Sequence, residues 1–209
     1  MNRARVCGVV LGAGRSLRLG QPKQTLPLGD TTLLGWVVRA IEASSLDRVI
    51  VVVGGSADEA RAGVAPGRAS VVTNDAYGTG CASSLLAGLE AAGDCDAVML
   101  CLGDMPGVDG PVIDAVRSDW ELHRPWAAVT SYRGQLGHPF VFSADAFGAL
   151  RELHGDKAVW TIVDAHTPGT GPELVRRVAV DRPLPLDVDT WDDYMEVCHS
   201  LGLHAAARG

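Results

Sequence analysis

The chain has 209 residues, 47% of them hydrophobic and 21% charged, with a formal net charge of −7. That size suits one α/β domain with a substantial core, and the acidic balance excludes general nucleic-acid binding, which draws on clustered cations. No run approaches the ~18 apolar residues of a membrane span, the N-terminus lacks the apolar stretch of a secretory signal, and the five cysteines never form a C-x-x-C pair, so a cytoplasmic protein without membrane or nucleic-acid partners is expected.

The first strand candidate, Val6 to Leu11, is apolar throughout, as expected of a strand covered on both faces. It feeds the loop Leu11-Gly12-Ala13-Gly14-Arg15-Ser16-Leu17-Arg18-Leu19-Gly20-Gln21-Pro22-Lys23. Gly12 and Gly14 remove side chains that would hold backbone amides away from phosphate oxygens. Arg15, Arg18 and Lys23 add charge, the arginines as planar forks and the lysine as a mobile point charge. A dinucleotide fingerprint would need glycine where Leu17 stands, and a Walker A loop would need Gly-Lys before Ser or Thr, whereas Lys23 lies between Pro22 and Gln24. A nucleophile elbow would put glycine at Arg18. A polyphosphate grip and an ordinary strand-to-helix turn with solvated cations remain.

Apolar stripes predict helices over Thr31 to Ala43, Ala82 to Ala92 and Gly110 to Leu122, and β-branched runs predict strands at Val49 to Val53, Ser70 to Thr73, Ala97 to Leu102 and Ala127 to Thr130. This alternation implies βαβ units in a Rossmann-like three-layer α/β sandwich with a mainly parallel sheet. The second half is less regular, with strand candidates at Phe140 to Phe142 and Arg176 to Val180, helix candidates at Ala144 to Leu153 and Trp191 to Leu201, and a Pro/Gly-rich loop from His166 to Pro172. Residues 1–204 are expected to form a single domain, with a nucleotide-binding half to about 108, an acceptor half beyond it, and a frayed tail at 205–209.

Four further segments carry chemistry. Asp104, directly after a buried strand in Leu102-Gly103-Asp104-Met105-Pro106, is placed either to cap a turn or to hold Mg²⁺ with substrate phosphates. Asp187 and Asp189 either supply a second carboxylate or cap the helix beginning near Trp191. The uncharged loop Gly78-Thr79-Gly80-Cys81-Ala82-Ser83-Ser84, with Asn74 upstream, suits a base or ribose edge, or is a capped turn. His138, in Gly137-His138-Pro139, is either a polar contact or acid–base group for a second substrate, or a turn histidine.

Taken in order, the segments LGAGRSLRLGQPKQTLPL at 11–28, YGTGCASSLLAGL at 77–89, LGDMPGV at 102–108, GHPFVFS at 137–143, GDKAV at 155–159 and DVDTWDDY at 187–194 resemble, nearly end to end, those of the molybdenum cofactor cytidylyltransferases and their nucleotidyltransferase relatives. The resemblance implies transfer of a nucleoside monophosphate from a nucleoside triphosphate, CTP favoured over GTP, to the terminal phosphate of a molybdopterin-type acceptor, with a molybdenum hydroxylase as recipient of the product. Transfer to a different phosphorylated acceptor, or a non-catalytic cofactor escort, are the alternatives. Leu11, Gly12, Ala13, Gly14 and Arg15 would line the nucleotide, Arg18 and Lys23 would grip its phosphates, and Asn74, Gly80 and Ser83 would meet the base or ribose. Asp104 would hold Mg²⁺ with Asp189, or less favourably Asp187, and His138 and Asp156 would face the pterin. Catalysis would rest on Arg18, Lys23 and Asp104. Two positions depart from the family pattern: Ala158-Val159-Trp160 stands where a Gly-Ala-Arg-like string is usual, and Cys81 where a small or hydroxyl residue is usual.

Overall fold

The computed structural model describes residues 3–206, apart from 15, 17, 56, 66, 156–157 and 166–173. Strand β1 (Val6–Gly12) is buried along its whole length. After a single 3-10 turn at Lys23–Thr25, a short hairpin pairs β2 (Pro27–Leu28) with β3 (Thr31–Thr32) and delivers the chain to α1 (Leu33–Glu42). Helical periodicity begins at Thr31, but the structure gives both threonines to the hairpin and uses Thr32 as the cap, its hydroxyl accepting from Gly35 N–H at 3.1 Å. A β-branched residue with a short hydroxyl suits that position better than a helix interior. The chain continues through β4 (Arg48–Val53), α2 (Ala57–Ala62), β5 (Ala69–Thr73), α3 (Cys81–Ala92), β6 (Ala97–Leu102) and α4 (Gly110–His123). The remaining elements are β7 (Ala127–Tyr132), β8 (Gln135–Ser143), α5 (Phe147–Arg151), α6 (Ala158–Ala165), β9 (Val175–Val180) and α7 (Trp191–Ser200). The helix expected over Ala144 to Leu153 divides into a 3-10 turn at Ala144–Ala146 and α5.

Seven strands form one sheet in the order β5-β4-β1-β6-β8-β7-β9. All run parallel except β8, which is antiparallel to both neighbours. Two apolar layers cover the faces. Val37, Ile41, Val112 and Trp120 of α1 and α4 pack on one side, and Leu85, Leu89, Phe147 and Val163 of α3, α5 and α6 on the other. Close contact needs small residues at the crossing points: a Cβ on Gly88 of α3 would lie 2.3 Å from Val9 Cγ1. A third cluster joins Leu26, Leu28 and Leu33 to Val188, Tyr194 and Val197, so α7 packs against the hairpin that follows the glycine-rich loop. At the chain's end, Ala206 N–H donates to the Tyr194 hydroxyl at 3.1 Å, so the segment expected to fray is anchored at that residue; 207–209 lie outside the described residues.

Two consequences follow for a site. The carboxyl ends of β1 and β6 are adjacent, Leu11 opposite Leu102, and this is the sheet edge at which α/β proteins gather ligands. Because β8 runs the other way, with Leu100 opposite Phe140, its early residues reach the same edge on the far side of β6.

Candidate active site

The loop after β1 is built by its glycines and by two contacts that sequence reading did not anticipate. A Cβ on Gly12 would meet Leu34 at 3.1 Å and the Val52 carbonyl at 3.4 Å, so the backbone lies tight against α1 and β4. Gly14 is exposed, and a Cβ there would lie 3.7 Å from both Gln24 Nε2 and Lys23 Cε, an ordinary contact. Buried Gln24 donates from Nε2 to the Gly14 carbonyl at 2.9 Å, and Ser16, in the left-handed region at φ 53°, accepts from Lys23 N–H at 2.8 Å. These bonds fold the loop so that Lys23 points back under it. Arg15 and Leu17 lie outside the described residues.

Lys23 Nζ ion-pairs with Asp104 Oδ2 and, at 2.9 Å, with Asp189 Oδ1, while Arg18 reaches Asp189 Oδ2 at 3.1 Å. The side chains of Lys23 and Asp104 are only 12% and 18% exposed, which makes this pair the most enclosed part of the cluster. Burial alone would lower the Lys23 pKa, but the charges and hydrogen bonds of Asp104 and Asp189 outweigh it and raise the ammonium above its ordinary value. Asp189 is held below the usual carboxylate range, chiefly by its hydrogen bond from Lys23. Asp187 opens on the pocket without an ion-pair partner among the described residues, and the protein crowded around it and the charges of Asp104 and Asp189 push it up to about 6.

The backbone explains the placement of both aspartates. Val188, fully buried, donates its N–H to the Asp104 carbonyl at 3.0 Å and pins segment 187–189 against the turn after β6. Capping of α7 falls to neither Asp187 nor Asp189: Thr190 accepts from Asp193 N–H, and Asp193 accepts from Thr190 N–H at 2.7 Å and from Asp189 N–H at 3.1 Å. The signal was present as Thr190-x-x-Asp193.

The uncharged loop after β5 forms the opposite wall. Gly78, Thr79 and Gly80 line the pocket, and Gly80 takes φ 116° at the start of α3, a conformation that favours glycine. Asn74 and Ser83 shape this wall from behind. Asn74 is buried and donates to both Ser83 Oγ and Ser84 Oγ, while its Oδ1 accepts from Ala76 N–H; Ser83 Oγ donates to the Ala76 and Gly80 carbonyls. Neither stands among the residues lining the pocket, although Ser84 does.

His138 is likewise set back from the cavity. Its ring lies 4.2 Å from that of Phe140, Nδ1 is 3.4 Å from the Leu100 carbonyl, and burial holds its pKa down at about 4. The residue facing the cavity in front of it is Trp160. Asp156 lies outside the described residues, as does the loop 166–172. One cavity of about 820 Å³ thus brings together Leu11, Gly12, Ala13, Gly14, Arg18 and Lys23 from the first loop, Gly80 from the second, and Asp104, Asp187 and Asp189.

The donors suit a hard divalent ion. Asp104 Oδ1 is buried without a hydrogen-bond partner among the described residues, and Asp104 Oδ2 and Asp189 Oδ1 already share one cation, the Lys23 ammonium. Among the described residues no three acidic, histidine or cysteine groups close into a protein-only metal cage. That fits an ion which binds through one or two carboxylates and completes its shell with phosphate and water oxygens.

Residues 8–170 match the model of the MobA-like NTP transferase domain. Rv0371c of Mycobacterium tuberculosis H37Rv is 40% identical and superposes with a TM-score of 0.83 over 94% of this chain and 98% of that one, and it has also been solved in complex with manganese. A nucleotidyl transferase from Methanothermobacter thermautotroptrophicus is 25% identical, with a TM-score of 0.76 over 95% of this chain and 98% of that one. Nicotine blue oxidoreductase of Paenarthrobacter nicotinovorans is 31% identical over 150 residues, which cover 66% of this chain and 71% of that protein.

Proposed function

The chain belongs to the MobA-like NTP transferase domain family and is a nucleotidyltransferase; from that premise we propose that it transfers CMP from CTP to the terminal phosphate of molybdopterin. The observation that carries this reading is the convergence of Lys23, Asp104 and Asp189 under the glycine-rich loop, in one cavity. The backbone of Gly12 to Gly14 receives the triphosphate, and Arg18 and Lys23 neutralise its oxygens. An oxygen of the acceptor phosphate forms a bond to the α-phosphorus as the bond from that phosphorus to the α–β bridging oxygen breaks, and the electron pair leaves on pyrophosphate. The acceptor phosphate is already ionised at neutral pH, so no side chain has to remove a proton. A neutral, buried His138 fits that requirement, serving to shape the acceptor wall.

Asp104 and Asp189 would hold the divalent ion, Mg²⁺ in this reading, with Asp187 beside them. When bound, that ion supplies charge neutralisation across the phosphate oxygens. The protein's part is positioning: Gln24 and Ser16 fix the loop, Val188 fixes the carboxylates, and the cavity holds the two phosphate groups in line. The loop at 77–84 would read the base, CTP in preference to GTP. The product would pass to a molybdenum hydroxylase in the cytoplasm.

Pyrophosphate release measured over the four nucleoside triphosphates, with and without molybdopterin, tests the reading. Release that requires molybdopterin and is fastest with CTP is expected. Release with GTP alone moves the assignment to the guanylyl branch, and nucleotide binding without release under any pairing favours an escort.

A further inference from the structure

We propose that Trp160 is the platform on which the acceptor's flat heteroaromatic ring stacks, an inference that rests on the reading above of a ring-bearing phosphorylated acceptor. The strand order arranges the cavity along one axis. The glycine-rich loop follows β1, Asp104 follows the adjacent β6, and the next strand, β8, carries His138 and Phe140 to the same edge. Trp160, in α6, lies against these two rings, edge-on to Phe140 with centroids 4.9 Å apart and to His138 at 6.4 Å. It therefore stands across Asp104 from the phosphate loop, on the side where the acceptor must lie if its phosphate is to meet the α-phosphorus.

Two observations give the ring this task. Among the described residues lining the cavity, the aromatic side chains are Tyr77 and Trp160. Tyr77 packs over Gly54 and Gly55, where an added Cβ would fall 2.7 and 2.4 Å from it, so its ring already covers backbone. Trp160 is half-buried, braced from behind by two buried rings, and its indole N–H donates to no group among the described residues. A rigid π-surface with a spare donor at its edge recognises a flat, nitrogen-rich ring by stacking plus one hydrogen bond. A short aliphatic phosphate would leave it uncovered.

The test uses the intact protein with Mg²⁺ and saturating CTP, and pterin-6-carboxylate as a ring probe that lacks the reactive phosphate. Calorimetry gives its affinity and tryptophan fluorescence reports contact. In the wild type, binding should quench fluorescence; Trp160→Phe should keep most of the affinity and lose the quench; Trp160→Leu should weaken pterin binding by about 10- to 100-fold. CTP affinity, measured on the same samples, doubles as the check that each variant is folded. Four results overturn the proposal: no pterin binding by a wild type that binds CTP, equal pterin affinity in Trp160→Leu, an unchanged quench in Trp160→Phe, or a loss of CTP affinity in Trp160→Leu as large as the loss for pterin, which would make Trp160 a base contact. Pyrophosphate release from molybdopterin is scored separately. A wild type that binds pterin through Trp160 but releases none refutes the transfer reading and leaves the platform standing; release without pterin binding does the reverse.

Discussion

In the proposed function the Lys23 ammonium holds the carboxylates that would take the metal ion, so replacing this lysine should tighten metal binding to the nucleotide-free protein. For a divalent ion to reach Asp104 and Asp189, the ammonium has to leave both. The contact with Asp104 is a largely enclosed, charge-assisted hydrogen bond, worth about 1.5–3 kcal/mol. The contact with Asp189, whose side chain is 43% exposed, is discounted to about 0.2–1 kcal/mol. Lys23→Met keeps the unbranched stem and removes the charge, so Mn²⁺ should bind the free variant more tightly by about 2–4 kcal/mol, roughly 30- to 900-fold. CTP binding should move the other way and weaken by about 1–3 kcal/mol, because one phosphate contact is lost. Electron paramagnetic resonance of free Mn²⁺ measures the first quantity and calorimetry the second. Weaker or unchanged Mn²⁺ binding in Lys23→Met would refute the claim that this lysine holds the carboxylates that would take the metal.

Asp104→Asn keeps the shape but removes the charge, and it should slow pyrophosphate release by about 100- to 1,000-fold while circular dichroism shows an intact fold; near-normal turnover removes Asp104 from the site. Gln24→Ala should release the Gly14 carbonyl, lowering stability by about 1 kcal/mol in urea denaturation and weakening CTP binding, and a loss of stability alone would make Gln24 a purely structural brace. His138 sets a pH signature. With its pKa held at about 4 in the fold against 6.5 in the unfolded chain, the native state binds fewer protons between those values, so its contribution is complete above pH 6.5 and lost as the pH falls toward 4, by up to about 3 kcal/mol. Denaturation midpoints at pH 7 and 4.5 should differ more for the wild type than for His138→Asn.

What the sequence disclosed was governed by local pattern. The strand runs at Val6, Val49 and Ala97 and the stripes of α1, α3 and α4 are short-range signals, and each element formed within a few residues of its predicted bounds. The glycine-rich loop and the strand-end Asp104 were legible as residue patterns, and the adjacent carboxyl ends of β1 and β6 bring them into one cavity. Antiparallel β8 was not, since direction depends on what the strand pairs with rather than on its own residues. Asn74 and Ser83 looked like ligand groups by composition, but they spend their hydrogen bonds on the loop, which only tertiary contact reveals. Gln24 and Ser16 carry no local signal, because their role depends on a loop that folds back on itself. Trp160 registered as a departure from a family string, and its place in the cavity follows from the packing of α6 on β8.

A crystal structure of the protein with Mn²⁺ and a non-hydrolysable CTP analogue, with anomalous scattering locating the metal, decides whether Asp104, Asp189 and the glycine-rich loop form one metal–triphosphate site. The manganese should lie between Asp104 and Asp189, the triphosphate against residues 12–14, and Lys23 Nζ should have moved from the carboxylates to a phosphate oxygen. Manganese bound away from Asp104, or phosphates bound away from the glycine-rich loop, would contradict this arrangement.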